Sequence, residues 1–221
     1  MIHRIARPSS HCIDTIIFDL GNVLIQWDPR HLFRKIFGSD EVAMEHFLSV
    51  VCTPEWNEEQ DRGRLWKDAI AEAAARHPEH ESNINAYFDR WSEMIPGEVE
   101  GTVKVLAQLR SLGLRLLALT NWSAETFHIA EARFPFLNWF EGIVVSGRER
   151  IIKPDPAIFK LIIERYHLSP EKTVFIDDNV RNVDAAEREG LHGIHFQNAD
   201  ELVGRLQELG VLLPGRGLNK G

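Results

Sequence analysis

Asp19 closes an apolar run within IIFDLGNVL at residues 16–24, and Gly21 and Asn22 follow at once. In open parallel sheets ligands bind outside the carboxyl ends of the strands. The residues that end each apolar run are therefore the first candidates for chemistry. A second run ends in Thr120-Asn121, a third is followed by Ser146, and a fourth by Asp177-Asp178. Lys153 lies in the loop beyond the third run, just before a helix start. Three carboxylates at one edge repel one another, and burying them unpaired is costly. A hard divalent cation with oxygen ligands relieves this. Mg²⁺ suits best, because it uses few carboxylates and keeps waters that a substrate phosphate can replace. Lys153 adds a point cation for the phosphate, and Thr120 with nearby backbone N–H groups adds neutral donors. Singly, each has a plainer reading: Asp19 and Thr120-Asn121 as turn residues, Lys153 as a solvated loop lysine, Asp177-Asp178 as a helix N-cap pair. Their joint placement at successive strand ends is what points to a site.

The elements that must position these residues are legible as short apolar runs at residues 15–18, 114–119, 142–145, 173–176 and 193–196. Each is mostly branched, with little polar alternation, as in parallel strands covered on both faces. Helical patterns separate most of them, at residues 99–112, 124–133, 156–166 and 180–189, and a last one spans 199–209. Asp155-Pro156 is an N-cap with a first-turn proline. This alternation predicts an α/β fold, a doubly wound, Rossmann-like parallel sheet. One interval departs from it. Residues 31–37, 41–50, 65–76 and 82–94 read as helices with no strand among them, whereas an ordinary crossover needs only one. The expectation is an α-helical cap at residues 29–96, a core at 1–28 and 97–213, and a glycine-rich, mobile tail at 214–221.

The composition bounds the partners. The 221-residue chain carries a formal net charge of -8, which argues against a nucleic-acid backbone as main partner. No apolar stretch approaches a membrane span or a secretory signal, so a cytoplasmic protein without membrane contact is expected. Cys12 and Cys52 form neither a disulfide framework nor a zinc pattern. The ten histidines include no ligand helix of the HExxH kind, and His192 and His195 fall on opposite faces of one strand. No histidine pairs with a visible nucleophile, so serine or cysteine hydrolysis is unsupported.

The motifs FDLGNVL (18–24), LTN (119–121), Lys153-Pro154 and FIDDN (175–179), with Asn182 and Asp184 beyond, resemble in order and spacing the haloacid dehalogenase-like hydrolase superfamily. The resemblance covers nearly the whole chain. Within the superfamily the chain looks like the helical-cap branch, and GNVL, QDRG at 60–63 and FIDDN are similar to bacterial sugar-phosphate phosphatases of the glucose-1-phosphate type. The resemblance implies that Asp19 is the nucleophile and forms an aspartyl-phosphate. Thr120 and Asn121 would hold the phosphoryl group, and Lys153 would tether both that group and Asp19. Asp177 and Asp178 would hold Mg²⁺ together with Asp19 and the backbone carbonyl of Gly21.

Most phosphatases of this kind carry Asp at the Gly21 position, where it protonates the leaving oxygen and later activates water. That help is worth ~10²–10⁴-fold in rate. Three readings follow. A small phosphate monoester is hydrolysed with the proton handled by substrate, solvent or a cap residue; a 2-haloacid is dehalogenated without metal; or a phosphorylated ligand is only bound. Dehalogenases carry small neutral residues where Asp177 and Asp178 stand, which favours the phosphatase. The cap stretch 52–63 reads as the substrate contact loop, with Trp56 to stack and Arg62 to pair with an anion. Trp27 and Trp122 are placed to line the mouth. The expected working form is a monomer or a homodimer.

Overall fold

The structure, a computed structural model, describes residues 12–213. The expected tail at 214–221 and residues 1–11 of the expected core lie outside that range. Five strands form one parallel sheet: β1 (Thr15–Phe18), β2 (Arg115–Thr120), β3 (Gly142–Val145), β4 (Thr173–Asp177) and β5 (His192–His195). Their spatial order is β3-β2-β1-β4-β5, so β1 is central and the order reverses on either side of it. This is the doubly wound sheet expected from the apolar runs.

Side chains alternate between the two faces. Ile17, Leu117, Leu119 and Phe175 pack with Ile158, Phe159 and Ile162 of α9 (Pro156–Arg165) and Ala185 and Ala186 of α10 (Val180–Arg188). Ile16, Phe18, Leu116 and Ile176 pack on the opposite face with Leu106 and Leu109 of α6 (Glu100–Ser111) and Leu202 and Leu206 of α11 (Ala199–Glu208). Caps fix the helix starts. Asp155 accepts from Ala157 N, Asn179 from Arg181 N, and Asn198 from Glu201 N. Each satisfies a first-turn N–H that has no helical partner.

Between residue 30 and residue 94 the regular elements are helical: α1 (Arg30–Phe37), α2 (Glu41–His46) running into a π-helical turn at Phe47–Val51, α3 (Pro54–Asp61), α4 (Trp66–Arg76) and α5 (Glu81–Asp89), with short 3₁₀ turns at Pro78–His80 and Trp91–Met94. Aromatic rings knit these helices together. Phe33 lies 4.8 Å from Phe47, and Trp66 lies 5.5 Å from Trp56 and 5.6 Å from Tyr87, centroid to centroid. Their apolar core runs into the sheet face that carries α6 and α11.

One element departs from the sequence reading. Residues 54–61, expected to be a contact loop, form α3. Thr53 Oγ1 accepts from Trp56 N at 3.1 Å, and Pro54 supplies the preset φ of a first helical position. After β3, α7 (Phe127–Arg133) being already complete, the short α8 (Ser146–Glu149) packs against the loop that leaves β2. At Gly147 a Cβ would lie 2.5 Å from Ala124 N and 2.8 Å from Trp122 O, both main-chain atoms.

Gly147→Ala is therefore expected to destabilise the fold by about 1–3 kcal/mol through overpacking. Gly204→Ala, inside α11 with nothing within 4 Å of its Cβ position, is expected to stabilise by about 0.5–1 kcal/mol through helix propensity. Urea unfolding midpoints of the two variants would check both signs.

Candidate active site

The strand register builds the site. Phe18 pairs with Ala118 on one side and Ile176 on the other. The next row across the three central strands is therefore Asp19, Leu119 and Asp177, and Lys153 joins that row. Its Nζ donates to Asp19 Oδ1 at 2.8 Å, Asp177 Oδ2 at 2.7 Å and Leu119 O at 2.9 Å. All three ammonium protons are thus spent, and the lysine is buried. Asn121 holds the lysine backbone: its Oδ1 accepts from Lys153 N at 2.8 Å, and its Nδ2 donates to Lys153 O at 3.0 Å.

Asp177 is also fully engaged. Its Oδ1 accepts from Asn179 N at 2.8 Å and its Oδ2 from Lys153, while Asn182 Nδ2 lies 3.0 and 3.1 Å from the two oxygens. It has no exposed surface. Asp178, by contrast, is exposed and lines a cavity of about 240 Å³ at the strand ends. Asp19, Gly21, Asn121 and Lys153 line the same cavity, and so do Trp27 and Trp122, the two expected mouth residues. From the helical segment come Asn57, Asp61 and Trp91. Thr120 lies beneath, with its Oγ1 buried and without a hydrogen-bond partner among the described residues.

Trp56 and Arg62 are not brought to this cavity. Trp56 is buried among Trp66 and Tyr87 within the helical segment. Arg62 is exposed and pairs with Glu58 at 2.9 Å one helical turn back. The helix explains this: Asn57 and Asp61, four apart on α3, share the face toward the cavity, whereas Trp56 and Arg62 each sit one residue off that pair and are turned about 100° away from it, on opposite sides. The sequence reading missed Asp61. The Thr53-Pro54 helix start, the same signature as Asp155-Pro156, together with the Asn57/Asp61 spacing, was the signal that could have found it.

The electrostatics are dominated by burial. Asp19 is pushed up to about 7, first by desolvation; Lys153 opposes this, and Asp177 and Asp178 add to it. Desolvation pulls the Lys153 ammonium down, but Asp177 and Asp19 together more than offset this and leave it raised, so it stays charged. The Lys153 ammonium does not offset the desolvation of Asp19, which therefore stays raised. The Asp178 carboxyl, at the rim of the cavity, is raised as well, by partial desolvation there and then by Asp177. Asp19, Asp177 and Asp178 each offer an oxygen within 4.8 Å of the others. Three carboxylates against one lysine leave a surplus of negative charge facing an oxygen-lined cavity, which is the donor set of a hard divalent cation.

A doubly wound sheet with such a charged cluster at its switch point is the architecture of an α/β protein with a ligand site outside the carboxyl ends of its strands. More particularly, residues 13–190 match the model of haloacid dehalogenase-like hydrolases, and the chain belongs to that family. It is 26% identical to the sesquiterpene phosphatase astK of Aspergillus oryzae over 186 residues, covering 83% of this chain and 89% of that protein. It is 26% identical over 89% of its length to the drimenol cyclase drtB of Aspergillus calidoustus, but spans only 36% of that longer protein. A Bacteroides thetaiotaomicron enzyme of the family, solved in complex with magnesium and inorganic phosphate, shares the fold. Its TM-score is 0.65 at 22% identity, with 84% of this chain and 95% of that one covered. Among the described residues no helix is long and apolar enough to cross a membrane.

The raised carboxylates make a prediction about stability. A carboxyl group whose folded pKa exceeds its unfolded value favours folding only while protonated. The penalty of ionising Asp19 is thus absent below about pH 4 and accumulates up to about pH 7. Protein treated with chelator should lose thermal stability across that window, and added Mg²⁺ should return it. A Tm that is flat from pH 4 to 7, or indifferent to Mg²⁺, would contradict the surplus of buried charge.

Proposed function

We propose that this protein hydrolyses small phosphate monoesters, sugar phosphates among them, in a Mg²⁺-dependent reaction through an aspartyl-phosphate on Asp19. The observation that carries the reading is the Asp19–Lys153–Asp177 row with Asp178 beside it. Simple phosphate binding needs no carboxylate aimed at the phosphorus. The phosphatase named among the relatives, and the magnesium and phosphate held by the Bacteroides fold neighbour, support it.

In this reading Asp19, Asp178 and the Gly21 carbonyl would hold Mg²⁺. Asp177, whose oxygens already accept from Lys153, Asn179 and Asn182, contributes charge and holds Lys153 and Asn182 in place. A Mg²⁺ held there would offset the surplus negative charge and would supply Lewis-acid polarisation of a phosphoryl oxygen. The rest is the work of the chain. Lys153 fixes Asp19 by Oδ1, leaving Oδ2 outside the ion pair. The orphaned Thr120 Oγ1 donates to a phosphoryl oxygen, and Asn121 keeps the lysine loop in register. Asp19 attacks phosphorus, the alcohol departs, and water then cleaves the acyl phosphate. Residues 29–96 act as the cap, with 1–28 and 97–213 as the core. Asn57, Asp61 and Trp91 face the strand ends from that cap and exclude water.

The dehalogenase reading fares worse. Without a cation, Asp177 and Asp178 beside a carboxylate nucleophile oppose an anionic halo-acid. A working enzyme of the proposed kind should release phosphate from an aryl phosphate and a sugar-phosphate panel with Mg²⁺, and stop with chelator. Asp19→Asn should abolish turnover. Asp178→Asn should raise the Mg²⁺ needed for half-maximal rate by about 10–100-fold, as losses around metal sites commonly do. Halide release from a 2-haloacid in chelator, with silence on every phosphate ester, would overturn the assignment.

A further inference from the structure

At Gly21 a Cβ would meet no atom within 4 Å, and the backbone there is not left-handed. A Cβ is thus tolerated at that position, yet the chain places no acid there. The cavity wall holds three carboxyl groups, Asp19, Asp61 and Asp178. The proposed function employs the first and the last. Asp61, at the C-terminal end of α3, serves there only as part of the cap wall, and its carboxyl group takes no part in the chemistry.

The structure fixes Asp61 over the strand ends from several sides. Asn57 Nδ2 donates to its Oδ2 at 3.2 Å, and the Ser123 N–H of the loop after β2 acts on its carboxyl group electrostatically, favouring the ionised form. Its main-chain carbonyl accepts from Ser146 Oγ at 2.6 Å, at the start of α8. Two residues on, Gly63 adopts φ +97 so closely against α8 that a Cβ would lie 3.1 Å from Gly147 O and 3.0 Å from Arg150 Cγ. Trp66 repeats the attachment, donating from Nε1 to Ser123 Oγ at 3.0 Å and from N to Glu125 Oε2 at 2.8 Å. A carboxyl group tied to both halves of the molecule, in the wall facing Asp19, is positioned for proton transfer.

We propose that Asp61 is the general acid–base of this site, supplied by the helical segment in place of the residue absent at Gly21. The inference rests on the phosphatase reading. As the Asp19 oxygen bonds to phosphorus and the ester P–O bond breaks, the Asp61 carboxyl proton passes to the leaving alkoxide, which departs as the alcohol. The Asp61 carboxylate then takes a proton from water while the water oxygen bonds to phosphorus. The Asp19–P bond breaks, phosphate leaves and Asp61 is protonated again. Its acidity suits the first step. Burial pushes the carboxyl up to about 8; the Ser123 N–H and Lys153 oppose this, and Glu58 and Asp19 add to it. Tyr87 of α5 also faces it, and Asp178 shares the cavity.

The test is the leaving group. Wild type and Asp61→Asn would be compared by kcat/KM on phenyl phosphate, whose phenol has a pKa of about 10, and on 2,4-dinitrophenyl phosphate, whose phenolate departs without a proton. All assays contain Mg²⁺, with Asp19→Asn as control. Asp61→Asn is expected to lose ~10²–10⁴-fold on the first ester and under about tenfold on the second. Equal losses on both, or none on either, overturn the assignment while leaving Asp19-dependent hydrolysis intact. Phosphate release absent from wild type on both esters defeats the phosphatase reading and this inference with it. Should Asp61→Asn fail to fold, wild-type rates across a series of substituted phenyl phosphates decide. A shallow dependence on phenol acidity supports an acid in the site, and a steep one overturns it.

Discussion

The structure at the strand ends turns on one ammonium group. Lys153 Nζ, fully buried, spends its three protons on Asp19, Asp177 and the Leu119 carbonyl, and so ties together the ends of β1, β4 and β2. That bond pattern exists only because β1 is central and the three strands run in parallel register, which sets Asp19, Leu119 and Asp177 in one row. Removing one partner of such a buried pair costs about 3–5 kcal/mol, because the other charge is left uncompensated. The lysine loop is in turn braced by Asn121, and Asp177 by Asn182 and Asn179. The polar residues around the row are thus scaffolding for two carboxylates and a lysine, and they are satisfied almost without exception. Among the described residues, Thr120 Oγ1 and, on the cavity wall, Trp122 Nε1 are buried without a hydrogen-bond partner.

The same row leaves a debt of charge that the chain does not settle alone. One lysine faces three carboxylates, and Asp19 stays raised despite its ion pair. The geometry separates the two members of the Asp177-Asp178 pair. Asp177 points inward and is saturated; Asp178 points to the cavity and is not. Adjacent residues at a strand end project to opposite sides, so one braces the lysine from within while its neighbour meets the solvent. A pair of acids in the sequence is thereby a division of labour in the fold.

What was legible in the sequence follows from this geometry. Parallel strands buried on both faces read as short apolar runs, so all five were found near their observed limits, and the residues just past them are where the site lies. Those positions need only local pattern and the rule about strand ends. The helical segment was harder. Residues 54–61 hold Trp, Asn, Gln and several charges, which suggest a binding loop until the Thr53-Pro54 start is given weight. Once they form a helix, spacing decides which side chains face the sheet: Asn57 and Asp61 do, Trp56 turns into the segment's own core, and Arg62 turns to solvent. Neither the saturation of Asp177 nor the desolvation of Asp61 could be read from sequence. Both depend on groups far along the chain, Lys153 and Asn182 for the one and Ser123 and Ser146 for the other.

Placing an acid on the helical segment would change what that segment is for. With an acid two residues after the nucleophile, the proton donor is part of the sheet edge and is present whether or not the segment is seated. With the acid at Asp61, the catalytic set is complete only when α3 lies against the loops after β2 and β3. The seat consists of the Ser146–Asp61 and Trp66–Ser123 hydrogen bonds and the close approach of Gly63 to α8. Binding energy that holds the segment down then also assembles the chemistry, which is how closure confers specificity at some cost in rate. The open room at Gly21 fits that arrangement. A Cβ position beside Asp19 is left unfilled there, and with the acid at Asp61 control of the proton would pass to the element that the proposed reading closes over the substrate.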